Sequence, residues 1–184
     1  MIFDAIEFAA AAHHGQYRKG TTIPYLMHPL SAARTVIDAG CPEYVVTAAI
    51  LHDIIEDTRH TVDDIRARFG DRVAELVDAC SEPNHHGASW EERKQNTLDT
   101  LAATTDQEVL LVAIADKLDN IRSIREDFAL RGELTWNRFK RGRDQQAWYY
   151  RSLSEVFSRQ MAAGAGQRLA RLFEEEVRLV FGGR

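Results

Sequence analysis

The amino-acid sequence predicts an all-α fold, a compact bundle of many helices. Three observations carry that expectation. Apolar residues recur at three- and four-residue spacing along most of the 184 positions, the mark of helices that bury one face. No alternation of apolar and polar residues persists long enough for a half-buried strand. Helix punctuation falls between the periodic stretches, with Pro29 and Pro42 near starts and Gly40, Gly70 and Gly132 just past ends.

The elements follow in order. Ile2, Ile6, Ala9 and His13 share a helical spacing, so a first helix is expected from Ile2 to about His14. Gly15 to Met27 reads as a loop rich in Gly, Thr and basic residues. Pro29 suits a first helical position, which places a second helix from there to about Ala39. Pro42 opens a third, whose apolar stretch Val45 to Leu51 leads into His52-Asp53. Thr61-Val62-Asp63-Asp64 is an N-cap signal for a helix to Phe69. Gly70 interrupts, and Arg72 to Cys80 forms the next. Ser81 to Ser89 is a polar loop, and Trp90 to Ala102 is helical. Glu108 to about Leu130 is the longest candidate. Its start, Val109 to Ala115, is apolar on every side, as expected of a helix at the centre of the molecule. Arg143 to Met161 and Gln167 to Phe181 close the chain as amphipathic helices. There is no repeat and no low-complexity linker, so residues 1–184 are expected to form a single domain.

Composition narrows the function. Hydrophobic residues make up 45%, ordinary for a globular protein. No apolar run is long enough to span a membrane. Met1-Ile2-Phe3-Asp4 lacks a basic n-region, so export is not expected and a cytoplasmic location is. Cys41 and Cys80 are far apart and form no CxxC pair, so they read as unpaired apolar fillers. Asp and Glu number 28 against 23 Lys and Arg, a formal charge of -5. That balance argues against bulk nucleic-acid binding, which runs on positive surface. An anionic substrate would need local cations or a metal.

The chemistry gathers around residue 52. If the third helix continues, Glu56 lies beside His52 and Asp57 beside Asp53, since residues four apart share a face. Three carboxylates and an imidazole next to a strongly apolar stretch repel one another unless a cation compensates. A divalent metal is the economical answer. Asp116 ends the apolar run of the longest helix, and a carboxylate there needs a partner as well. Asn120 follows four residues later on the same face. His28 is expected on a loop just before a helix start, from which it could reach a central site.

The stretches Ala12-His13-His14-Gly15-Gln16-Tyr17-Arg18-Lys19, Pro24-Tyr25-Leu26-Met27-His28-Pro29, Leu51-His52-Asp53-Ile54-Ile55-Glu56-Asp57-Thr58 and Ala115-Asp116-Lys117-Leu118-Asp119-Asn120-Ile121-Arg122 stand in a telling order. Order and spacing resemble the HD-superfamily hydrolase domain of RelA/SpoT homologues, especially the stand-alone small alarmone hydrolases. The resemblance covers residues 12 to about 125. It implies a metal, usually Mn²⁺ or another divalent ion, held by His28, His52, Asp53 and Asp116. It implies that Glu56 and Asp57 place or activate the attacking water. It implies that Arg18 packs on the nucleobase, that Lys19 meets phosphate, and that Asn120 contacts substrate. The family reaction releases pyrophosphate from the 3′ position of guanosine tetra- or pentaphosphate, so the expected partner is a small nucleotide. Two other readings stay open: a phosphomonoesterase acting on another nucleotide, and a nucleotide-binding module without catalysis.

The chain departs from the family pattern at Asp119, where His or Tyr is common. That residue either alters substrate choice or points to solvent. Cys80-Ser81-Glu82-Pro83 replaces a common Thr-Lys-Leu, which leaves guanine against adenine open. Blander readings apply elsewhere. His13 is expected to be structural or to support a ligand, His14 to be exposed, and His60 to be solvated. His85 and His86 read as an adventitious surface pair. Arg122, Arg125 and Glu126 read as a solvated face. Trp136, Trp148, Tyr149 and Tyr150 read as core or interface. Leu169, Leu172, Phe173, Val177 and Val180 form a stripe that either closes the core or seams a homo-oligomer.

Overall fold

The computed structural model describes residues 1–81 and 87–182. The expectation for His85 and His86 lies outside those residues. Among the described residues the chain forms ten α-helices: α1 (Ile2–Ala12), α2 (Met27–Asp38), α3 (Glu43–Leu51), α4 (Ile54–Asp57), α5 (Val62–Phe69), α6 (Asp71–Cys80), α7 (Trp90–Ala103), α8 (Gln107–Arg131), α9 (Arg143–Gln160) and α10 (Ala165–Phe181). A 3-10 turn, Gly132–Arg138, joins α8 to the last pair. The only β-type pairing described is one bridge between Tyr17 and Pro24. No described helix is long and apolar enough to cross a membrane.

Why α8 is apolar on all sides is now visible. It lies between two packed halves. Val109, Val112 and Ala115 pack with residues of α1, α2, α3, α5 and α6. Leu110, Ala113, Ile114, Leu118, Ile121 and Ile124 pack with α7, α9, α10 and Trp136. A helix used on both sides needs no polar stripe until it leaves the core. Its start is fixed by the Asp106 carboxylate, which accepts from the backbone N–H groups of Glu108 and Val109. Those donors have no partner inside the helix. Gly132, at φ 57°, ends it in a conformation that a side chain would strain.

Several sequence expectations are corrected here. α2 begins at Met27, so His28 sits in the first helical turn rather than on a preceding loop. Pro29 is tolerated at the third helical position because that N–H is an orphan in any helix. α3 does not run on through Glu56. It ends at Leu51, and His52 and Asp53 form a turn before the short α4. Both residues keep right-handed dihedrals, so the turn loosens the helix without reversing the chain. The ring of His60 packs on Phe8 with centroids 4.6 Å apart, so this side chain is half-buried rather than solvated.

The last helix settles the other open pattern. Leu169, Phe173, Val177 and Val180 are buried against the second half, and only Leu172 of that stripe is exposed. The stripe closes the core. Trp136, Tyr149 and Tyr150 are core residues as well, while Trp148 is exposed. Arg122 and Arg125 each lie 3.3 Å from the buried Glu176 carboxylate, so they tie α8 to α10 instead of forming a free charged face.

Candidate metal centre and substrate cavity

Each side chain of the site is aimed by a local need. The last carbonyls of α3 have no partner within the helix. His52 meets one of them: its Nδ1 lies 2.8 Å from the Ala49 carbonyl oxygen. A carbonyl only accepts, so Nδ1 carries the proton and Nε2 presents its lone pair. That Nε2 is buried and has no hydrogen-bond partner. His28 is arranged in the same sense. Its Nδ1 lies 2.6 Å from Asp119 Oδ2, which leaves Nε2 free to face the centre.

Four donors then converge. His28 Nε2 is 3.4 Å from Asp53 Oδ2 and 3.2 Å from Asp116 Oδ1. His52 Nε2 is 3.1 Å from the same Asp53 oxygen and 3.8 Å from the same Asp116 oxygen. Donors about 2.0 to 2.4 Å from one ion stand roughly 2.8 to 3.9 Å apart in octahedral or tetrahedral arrangement. The observed spacings fall in that range. His28, His52 and Asp53 form a cluster with metal-binding geometry. The orphaned Nε2 of His52 is the atom that such an ion would satisfy. The donor set therefore fits a divalent metal.

With no ion bound, the acids draw protons onto the imidazoles, and a cation at the centre would displace them from Nε2. Burial alone would lower His28, but hydrogen bonds with Asp116, Asp119 and Asp53 raise it to about 9. Burial would lower His52 too, but the nearby charges of Asp53 and Asp116 raise it well above its ordinary value. Burial would raise Asp53, yet His52 and His28 hold it well below the usual carboxylate range. Asp116 is likewise held low, with Lys117 the largest favourable influence. These buried acids stay charged and need positive charge nearby.

Around the centre lies a cavity of about 430 Å³. Its wall carries Arg18, Lys19, Lys94, Lys117 and Arg138 against Asp53, Glu56, Asp78 and Asp116. Five cations against four acids is a reversal of the chain's overall charge, and a dication would tip it further. Tyr25, Asn120 and Tyr150 line it too. Arg18 and Lys19 arrive on a narrow turn. Arg18 N–H donates to the Ile23 carbonyl and Tyr25 N–H to the Gln16 carbonyl, each at 2.9 Å. Gly20 at φ 73° makes the reversal.

Of the residues expected to hold metal, act on water or contact substrate, all but Asp57 lie in the cavity wall. Glu56 is there, reached through α4 rather than by continuation of α3. Asp57 is not among the lining residues. Its carboxyl is raised by burial and by the charge of Asp53, and the Tyr25 hydroxyl partly offsets this. His13 is buried, with Nδ1 2.8 Å from Gln16 Oε1, and its ring lies 4.9 Å from that of Tyr25. It supports the site from behind. Asp119 does not point to solvent, since it contacts His28 and Arg18.

Sequence reasoning missed Tyr25, Lys117 and Arg138. The Tyr25 hydroxyl donates to Asp53 Oδ2 at 2.6 Å. Lys117 Nζ lies 2.6 Å from Asp116 Oδ2, leaving Oδ1 toward the histidines. The signal for Lys117 was present, because a carboxylate at the end of an apolar run needs a counter-charge. Arg138 sits on the 3-10 turn, for which periodicity gave no helix.

The all-α bundle brings two histidines and two aspartates from three distant stretches together as the donor set of a candidate metal centre. Residues 5–144 match the HD domain family, and the chain belongs to it. It is 37% identical over 120 residues, 65% of its length, to the guanosine-3′,5′-bis(diphosphate) 3′-pyrophosphohydrolase of Aquifex aeolicus. The chain spans about 17% of the length of that curated relative. A crystal structure of a Listeria monocytogenes EGD-e protein is similar at TM-score 0.78 and 36% identity, covering 85% of this chain and 99% of the other. A metazoan ortholog of SpoT that hydrolyzes ppGpp is similar at TM-score 0.75 and 26% identity, covering 95% and 94%.

Proposed function

We propose that this chain is a divalent-metal-dependent hydrolase that removes pyrophosphate from the 3′ position of a guanosine bis(diphosphate)-type nucleotide. The observation that supports this best is the convergence of His28, His52, Asp53 and Asp116 at the floor of a cation-rich cavity. Likeness across nearly the whole length of a ppGpp-hydrolysing relative adds to it.

The four donors would hold the ion, with Mn²⁺ the expected metal. When bound, the ion supplies Lewis acidity at the attacked phosphorus and eases ionisation of a water. Glu56, with Asp57 behind it, takes the proton of the attacking water. The bond between the 3′ oxygen and phosphorus breaks, the water oxygen joins phosphorus, and a proton ends on the 3′ oxygen. The products are the 5′-diphosphate nucleoside and pyrophosphate. Lys19 meets phosphate, Arg18 packs against the base, and Asn120 orients the substrate beside Asp116.

Incubating Mn²⁺-loaded protein with 3′-pyrophosphorylated guanosine and adenosine nucleotides and with 3′-phosphomonoesters tests the reading. One pyrophosphate released for each 5′-diphosphate nucleoside formed is expected. Orthophosphate release would instead favour a phosphomonoesterase, and no turnover of any 3′-pyrophosphorylated nucleotide would overturn the proposal.

A further inference from the structure

Asp119 is held by protein groups rather than by solvent. Its carboxylate lies 2.6 Å from His28 Nδ1 and 3.2 Å from Arg18 Nη1. The side chain is 19% exposed and that of His28 only 2%. Arg18 is held by a second contact from the same helix, donating from Nη2 to Asn120 Oδ1 at 3.2 Å.

We propose that Asp119 is a positioning residue that presets the metal-facing nitrogen of His28 and, through the same carboxylate, the plane of the Arg18 guanidinium. This rests on the metal reading of the site given above. An imidazole has two nitrogens and one proton when neutral. A cation held among Asp53 and Asp116 would need the Nε2 lone pair, which leaves the one proton of the neutral ring on Nδ1, where the Asp119 carboxylate 2.6 Å away accepts it. Without the carboxylate that Nδ1–H loses its acceptor and the ring is free to rotate, and binding must first reverse that. The tie to Arg18 closes a ring of contacts from His28 through Asp119, Arg18 and Asn120 to Asp116. The turn that carries Arg18 and Lys19 is thereby docked on α8 beside the metal donors. Asp119 is not a catalytic residue, because it reaches the centre only through His28.

The test is metal affinity, read by Mn²⁺ titration against a competing chelator, with far-UV circular dichroism to verify folding. Asp119→Ala is expected to weaken Mn²⁺ binding about 10- to 100-fold, the usual effect of removing a partner behind a metal-bound histidine. Asp119→Asn keeps an oxygen that accepts from Nδ1–H, so it is expected to recover most of that loss. A folded Asp119→Ala chain with the parent's affinity would overturn this inference alone. A parent that takes up no divalent metal would overturn the metal reading and this inference with it. A second measurement needs no variant. Long-range ¹H–¹⁵N correlation of the Zn²⁺-loaded parent is expected to show His28 protonated at Nδ1, and protonation at Nε2 overturns the inference.

Discussion

His52 and Lys117 show how single residues keep an expensive site in order. His52 gives its proton to the end of its own helix, which fixes which nitrogen faces the centre. Lys117 neutralises one oxygen of Asp116 and leaves the other available. Lys117→Met keeps most of the side-chain volume but strands a buried carboxylate. It is expected to destabilise the metal-free protein by about 3 kcal/mol in urea unfolding, the scale of a broken buried pair. A loss below about 0.5 kcal/mol would mean that Asp116 does not depend on it. Glu56 faces the cavity without belonging to the four donors. Glu56→Gln is therefore expected to lower kcat about 100-fold or more while leaving Mn²⁺ affinity within a few-fold of the parent. Undiminished turnover would remove Glu56 from the mechanism.

At the scale of elements, α8 holds the molecule together and its N-terminus is the fixed point. Asp106 caps it and also accepts from Arg72 of α6 at 2.7 Å. Burial would raise the Asp106 carboxyl, but Arg72 and the capped N–H groups hold it below its ordinary value. A depressed folded-state pKa stabilises fully above the unfolded value near 4 and loses that contribution as pH falls through the folded value. Asp106→Asn keeps the cap but abolishes the titration. Its urea midpoint is thus expected to fall less between pH 5 and pH 2.5 than the parent's, and an identical decline would refute the role. Most helices were legible in the sequence because each buries one face, and the apolar stretches of α3 and α8 because they are buried all round. The break at His52-Asp53 was not legible. It depends on a side chain meeting the Ala49 carbonyl, and both residues keep dihedrals that a helix would also accept. The start of α2 was missed by two residues because Pro29 was read as a first position, whereas the third is equally free of a bonded N–H.

For the whole molecule, the decisive arrangement is a shared helix between two cores, with the site at the seam where its all-round apolar character ends. Asp116 follows Ala115, which belongs to the first half, and precedes Leu118, which belongs to the second. The cavity opens between them. The resemblance implied His28, His52, Asp53 and Asp116 and their meeting at one ion, but spacing alone did not show how α2, the α3 end and α8 pack to bring them together. The cations opposite them come from the Gly20 turn, α7, α8 and the 3-10 turn, elements with no shared sequence signal. The most direct test of this convergence is the metal content of purified chain after Mn²⁺ loading and desalting, measured by elemental analysis for the parent, His28→Ala and Asp53→Ala. About one ion per parent chain and less than roughly a tenth of that in each folded variant is the predicted result; unchanged metal in either variant would contradict it.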